Sequence, residues 1–239
     1  MTWTNRLALA VAIAVSSGAA AHASVLSVSA AVGGAPLGAS YANFDNLAVN
    51  APGASVPNHT GGSSGGVTVS FSGNGGTVRG ALGGKYAAPY LSNNNGTLFG
   101  DGETGADSTT YVSTGIGTAT LSFAGSERYL GLLWGSVDWY NRLTFYNGTT
   151  VVGSLTGADV TGSPTGNQGV NGTYYVNIIS SQAFNRVVAS SSQYSFEFDN
   201  VAYDTGRNIH PRVPEPATFG LMGFGLLAAI GLRRRLLAR

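Results

Sequence analysis

The sequence predicts an all-β fold, a jelly-roll-like β-sandwich of short antiparallel strands, between two terminal segments of another kind. Three observations carry this. Short runs alternating between apolar and polar residues are separated by clusters of Gly, Asn and Ser. Asn-Gly, the favoured centre of type I′ hairpin turns, occurs at 74–75, 95–96, 147–148 and 171–172. The chain holds 36 Gly and a single Lys, Lys85, so the Glu- and Lys-rich faces of exposed helices have no source.

Taken in order, the chain opens with Arg6, an unbroken apolar run at 7–15 (LALAVAIAV) and small residues ending in Ala21-His22-Ala23. That pattern is a signal peptide, residues 1–23, cut after Ala23 by signal peptidase, and its apolar run is too short for a membrane span. The body, 24–203, contains the expected strands VTVSF (67–71), TATLSF (118–123), YLGLLW (129–134), RLTFY (142–146), TVVGSL (150–155), YYVNII (174–179), FNRVVAS (184–190) and YSFEF (194–198). Alternation is clearest in the last, where Tyr194, Phe196 and Phe198 share a face opposite Ser195 and Glu197. Asn147-Gly148 between RLTFY and TVVGSL is the best-supported hairpin turn. Residues 51–66 read as a flexible loop, and 204–212 as a linker to the tail.

Charge and composition exclude several functions. Arg6, Arg233, Arg234, Arg235, Arg239 and Glu215 lie in the terminal segments, so of 12 basic and 11 acidic side chains only seven and ten remain between them. A slightly acidic body with one Lys is not a nucleic-acid binder. With no cysteine there is no disulfide, thiol nucleophile or thiolate metal site. Once His22 is cleaved away, only His59 and His210 could act as a histidine base. No nucleophile motif or phosphate loop accompanies them, so no enzyme is expected.

Two constellations remain. Trp134-Gly135-Ser136-Val137-Asp138-Trp139-Tyr140-Asn141 concentrates the residues of a sugar-binding face, with Trp139, Tyr140, Asp138 and Asn141 as the candidate ligand contacts. The competing assignment puts Trp134 at the end of a core strand and has Asp138 and Asn141 organise a turn. Phe-Asp-Asn followed by an aliphatic residue occurs at 44–47 and again at 198–201. In the second copy the apolar parity changes from Phe198 to Val201 and Tyr203, which predicts a bulge at Asp199-Asn200. Pairing of the first and last strands would bring Asp45 and Asp199 together, two hard oxygen ligands for Ca²⁺. GDGETGAD (100–107) is a weaker acidic loop candidate.

The tail begins with Val213, Pro214, Glu215 and Pro216, continues as the uncharged apolar stretch 217–232, and ends with Arg233, Arg234, Arg235 and Arg239. Hydropathy reads it as a short transmembrane helix with its arginines on the cytoplasmic side. The motif, span and Arg cluster over 213–239 resemble the tripartite PEP-CTERM sorting signal of Gram-negative bacteria. That resemblance implies recognition and removal by an exosortase, transient tethering in the inner membrane, delivery to the cell surface or extracellular matrix, and association with exopolysaccharide and biofilm. Gly131–Asp138, Tyr140-Asn141, Leu143–Tyr146 and Phe196–Val201 are similar to one group of exosortase-dependent surface proteins. That group has a small residue where Trp139 stands, which marks Trp139 as an exposed addition. The group supplies no activity to carry over.

Overall fold

The computed structural model describes residues 25–38 and 40–206. The expected signal peptide, His210, the Val213–Pro216 motif, the 217–232 span and the Arg233–Arg235 cluster lie outside the described residues. The described residues form eleven strands: β1 Leu26–Ala31, β2 Ser40–Ala42, β3 Gly62–Ser64, β4 Val67–Val78, β5 Tyr90–Leu91, β6 Gly105–Ala106, β7 Tyr111–Gly135, β8 Asn141–Asn147, β9 Thr150–Thr156, β10 Tyr174–Ser191 and β11 Phe196–Asp204. Among the described residues helix is confined to one four-residue turn at Gly157–Val160 and two 3-10 turns at Thr97–Phe99 and Val170–Gly172. Among the described residues no helix is long and apolar enough to cross a membrane.

Nine strands join one sheet, and β5 pairs separately with β6. Two expected strand pairs prove to be single long strands. TATLSF and YLGLLW are the two halves of β7, and YYVNII and FNRVVAS are the two halves of β10. The polar stretches between the halves, which read as turns in sequence, are places where a strand changes partner. The first half of β7 pairs with β4 and the second with β10. The first half of β10 carries β1 on its other side, and its second half pairs with β8.

Alternation then builds one shared core. Leu130, Leu132 and Trp134 of β7, Leu143 and Phe145 of β8, Val176 and Ile178 of β10, and Phe196 and Phe198 of β11 are all buried in it. At roughly 1.5–3 kcal/mol for each fully buried large apolar side chain, this cluster dominates the favourable terms. Trp134 stacks on Phe196 at 4.3 Å between centroids, so it is a core residue.

β11 occupies a central position. Glu197 lies opposite both Ser113 and Gly135, so the start of β11 runs between the two halves of β7, and Val201–Tyr203 pair with β2. The expected bulge is present: Asn200 has φ 53° and the register slips between Asp199 and Ala202. The β8–β9 hairpin is also present, with its turn one residue later than Asn-Gly. Asn147 pairs with Thr150, and Gly148 at φ 60° takes the first central position, as a type II′ turn requires. The other Asn-Gly steps are not hairpins. Asn74-Gly75 sits at a bulge inside β4, and the steps at 95–96 and 171–172 belong to 3-10 turns or their approach.

The expected flexible loop at 51–66 is tied down by a bridge from Asn58 to Thr77 and ends in β3. One layer was not anticipated. Residues 79–110, nearly strandless, fold across the outer face of the sheet and bury Tyr86, Leu91 and Phe99 against Tyr111, Leu133 and Tyr175. That cover turns the polar face of β11 into interior: Ser195, Glu197 and Asp199 are all buried.

Candidate functional site

A polar cavity of about 170 Å³ opens where the end of β7, the approach to β8 and the approach to β11 meet the outer layer. Asp138, Tyr140, Lys85, Tyr194, Gln168 and Glu197 line it. The Tyr140 hydroxyl donates to Asp138 Oδ2 at 2.6 Å and has the Tyr194 carbonyl at 3.0 Å. Burial raises the pKa of Asp138, against the Tyr140 hydrogen bond. The loop at 161–169 closes over this carboxylate: Thr165 bridges to Asp138, and Gly166 donates its N–H to the Val137 carbonyl. Gly166 has φ +69°, and a Cβ there would lie 2.7 Å from Asp138 Oδ2, so both its backbone and its space call for glycine.

Lys85 lies 4.1 Å above the Tyr194 ring, within cation–π range. Beyond this pair is a second cavity of about 180 Å³ that shares Lys85, Tyr86 and Tyr194 with the first. Glu197 forms the floor. Its Oε1 accepts from Ala87 N (3.0 Å) and from Ser195 Oγ, and its Oε2 accepts from Ser136 Oγ. Complete burial nevertheless pushes its pKa up to about 7, with those three donors pulling it back down.

The four sequence-derived contact residues separate here. Asp138 and Tyr140 line the cavity. Trp139 is 63% exposed, and its ring stands at 78° to Tyr140, so the two rings form no flat platform. Asn141 is buried away from the cavity, donating to the Ser195 carbonyl and accepting from Ser191 Oγ, a structural role. Lys85, Tyr194 and Glu197 were missed as cavity residues. Only the alternation of YSFEF hinted at Glu197, because covering of its face is a long-range event.

A second cluster lies further along β11. Side-chain oxygens of Asp101, Asp107 and Asp199 lie within 4.8 Å of one another. Asp199 is brought there by the bulge in β11, and the other two come from the 100–107 loop. The expected partner, Asp45, does not join them, although β2 does pair with β11. Its Oδ1 accepts from Thr110 N (3.0 Å) and its Oδ2 from Asn43 Nδ2 (2.8 Å). Asp45 therefore organises a loop, and the acidic loop that seemed the weaker candidate is the one that meets Asp199. Burial, then the neighbouring acids, raises Asp199 well above the carboxylate range, and burial raises Asp101 to about 6.

No curated protein and no solved structure matches the chain. The tail does match. The family model of the PEP-CTERM protein-sorting motif covers residues 212–235, taking in Val213–Pro216 and Arg233–Arg235. The chain thus carries a PEP-CTERM sorting motif, the signal that marks an exported surface protein for sorting by an exosortase.

Proposed function

We propose that the body is a non-enzymatic, jelly-roll-like β-sandwich that serves at the cell surface or in the extracellular matrix and holds exopolysaccharide there. In this reading residues 1–23 are a cleaved signal peptide. The 217–232 helix tethers the chain in the inner membrane until the exosortase acts. Substituting Arg233, Arg234 and Arg235 with Ala is expected to leave an unprocessed, membrane-retained form. Mass spectrometry of the mature C-terminus checks this, and an unchanged mass and release would count against it.

The observation that carries the saccharide reading is the pair of cavities sharing the Lys85–Tyr194 wall. Each is smaller than the ~300 Å³ at which drug-sized sites begin, so the two together fit successive units of a polymer better than one large ligand. Carboxylate, phenol, amide and ammonium groups in the first cavity can exchange hydrogen bonds with hydroxyls, and exposed Trp139 stands next to Tyr140 as a stacking surface. A non-catalytic role is supported by Glu197, whose two oxygens are both bonded within the protein rather than directed at a glycosidic bond.

The test is retention of the purified protein on exopolysaccharide from the producing cells, with Asp138→Asn and Tyr140→Phe as variants. A loss of about tenfold or more in retention is expected for each, roughly one well-placed hydrogen bond to a charged or desolvated group. Retention unchanged in both variants, or release of new reducing ends by the wild type, would defeat the proposal.

A further inference from the structure

We infer that Asp101, Asp107 and Asp199 hold one Ca²⁺ ion, and that the ion fastens the 100–107 loop to the bulge of β11. This site is separate from the saccharide cavity and does not depend on that reading. The argument starts from the oxygens left over. Asp101 Oδ2 accepts from Asn200 Nδ2 at 2.6 Å, Asp107 Oδ1 from Thr109 N and Oγ1 at 2.8 and 2.6 Å, and Asp199 Oδ1 from Asn200 N at 2.8 Å. The second oxygen of each carboxylate, Asp101 Oδ1, Asp107 Oδ2 and Asp199 Oδ2, is buried without a hydrogen-bond partner.

An independent observation comes from a neutral side chain. Asn200 is fully buried, its nitrogen is bound to Asp101, and its Oδ1 also lacks a partner. Four unpartnered buried acceptors at one place are costly, on the order of 1–3 kcal/mol each and more for charged groups. The charges bearing on Asp199 are Asp107 and Asp101, and those bearing on Asp101 are Asp107 and Asp45, all of one sign. A cation satisfies the acceptors and cancels the repulsion together.

The donor set selects the ion. It is all oxygen, with no imidazole or thiolate, which suits hard cations and not zinc or copper. Two oxygens bound to one Ca²⁺ at 2.3–2.6 Å can stand at most about 5.2 Å apart, and the 4.8 Å spread fits within that. Mg²⁺ demands near-octahedral ligation at about 2.0–2.1 Å and retains several waters, for which a site with Asp107, Asp199 and Asn200 all buried is poorly suited. Extracellular modules typically bind Ca²⁺ at roughly 10⁻⁴–10⁻³ M, and an exported domain meets the ion outside the cell.

The exported protein, stripped with EGTA, is melted after return of CaCl₂ or MgCl₂. Ca²⁺ well above its dissociation constant is expected to raise the melting temperature by about 5–10 °C, with Mg²⁺ giving little. Tb³⁺, a luminescent stand-in for Ca²⁺, is expected to light up through Tyr175, whose hydroxyl donates to the Asn200 carbonyl at 2.9 Å, and to be displaced by Ca²⁺. Asp107→Asn should abolish the Ca²⁺ response while melting higher than the wild type in EGTA, because one of three repelling carboxylates is gone. Three results each overturn the assignment: no shift of the wild type with Ca²⁺, an equal shift with Mg²⁺, or a Ca²⁺ shift in Asp107→Asn as large as that of the wild type. Should Asp107→Asn not fold, the wild-type melting and Tb³⁺ measurements decide alone.

Discussion

Glu197 and Asp199 stand two residues apart on the same face of β11, both buried, and their surroundings answer the same problem in opposite ways. Glu197 is met by three donors, one backbone N–H and two serine hydroxyls, and both its oxygens are used. Asp199 receives one backbone N–H and faces two other aspartates. The cost of burying a carboxylate is similar at both positions, so the difference lies in what the outer layer offers. Where the 79–110 segment brings a donor, Ala87 N, the acid is complete within the protein. Where the same segment brings further acids, Asp101 and Asp107, the site needs something from outside.

The largest expected way to break this contrast is Glu197→Ala. It leaves the Ala87 N–H and the Ser136 and Ser195 hydroxyls facing a void. At about 1 kcal/mol or more per stranded donor, the loss is about 3 kcal/mol or greater, seen as a fall of roughly 6–12 °C in melting temperature. The aspartate cluster should respond in the other direction to loss of one acid in EGTA, so the two experiments together test whether the sites differ in kind.

The pH profile sharpens the same contrast. The folded pKa of Glu197, about 7, lies above the ordinary glutamate value of about 4.3, so the fold binds its proton more tightly than the unfolded chain does. Its contribution is fully present below about pH 4.3 and is lost as pH rises through 7. Asp101, raised to about 6, has the same sign. Thermal melts in EGTA should therefore decline between pH 5 and 8. Glu197→Gln should remove the upper part of that decline, and saturating Ca²⁺ should remove the aspartate part, because the ion favours ionised ligands.

A smaller effect is expected at Gly166, where Ala must hold φ near +69° with its Cβ against Asp138. A loss of about 1–2 kcal/mol in stability, together with weaker saccharide retention, would show that the 161–169 loop positions Asp138. Smallest of all is Trp139→Ala. Being 63% exposed, it should change stability by no more than about 0.5 kcal/mol while lowering retention on exopolysaccharide.

Local pattern made much of this fold legible in the sequence. Alternation located the halves of β7 and β10, and the parity change after Phe198 located the bulge at Asn200, because both follow from the two-residue period of a strand. The joins between the halves were not legible. Ala-Gly-Ser-Glu at 124–127 has turn composition, and only its partners on either side reveal a continuous strand. The outer layer was invisible for a similar reason, since 79–110 buries its aromatics with almost no regular structure to give them a period. For the candidate sites this mattered most. Asp138 and Tyr140 could be named from their local run, whereas the contact of Asp101 with Asn200 spans 99 positions and has no sequence signature.

The place of β11 in the sheet has a mechanical consequence. The chain passes from Asp204 toward the sorting tail, so any pull transmitted through that tail enters the fold along its last strand. That strand is not at an edge: β7 flanks it along its length, on both sides at its start, and β2 holds its far end. Drawing it out requires several ladders to yield together rather than one pair at a time. A load arriving from that end therefore meets a strand held by more than one partner, not a free edge.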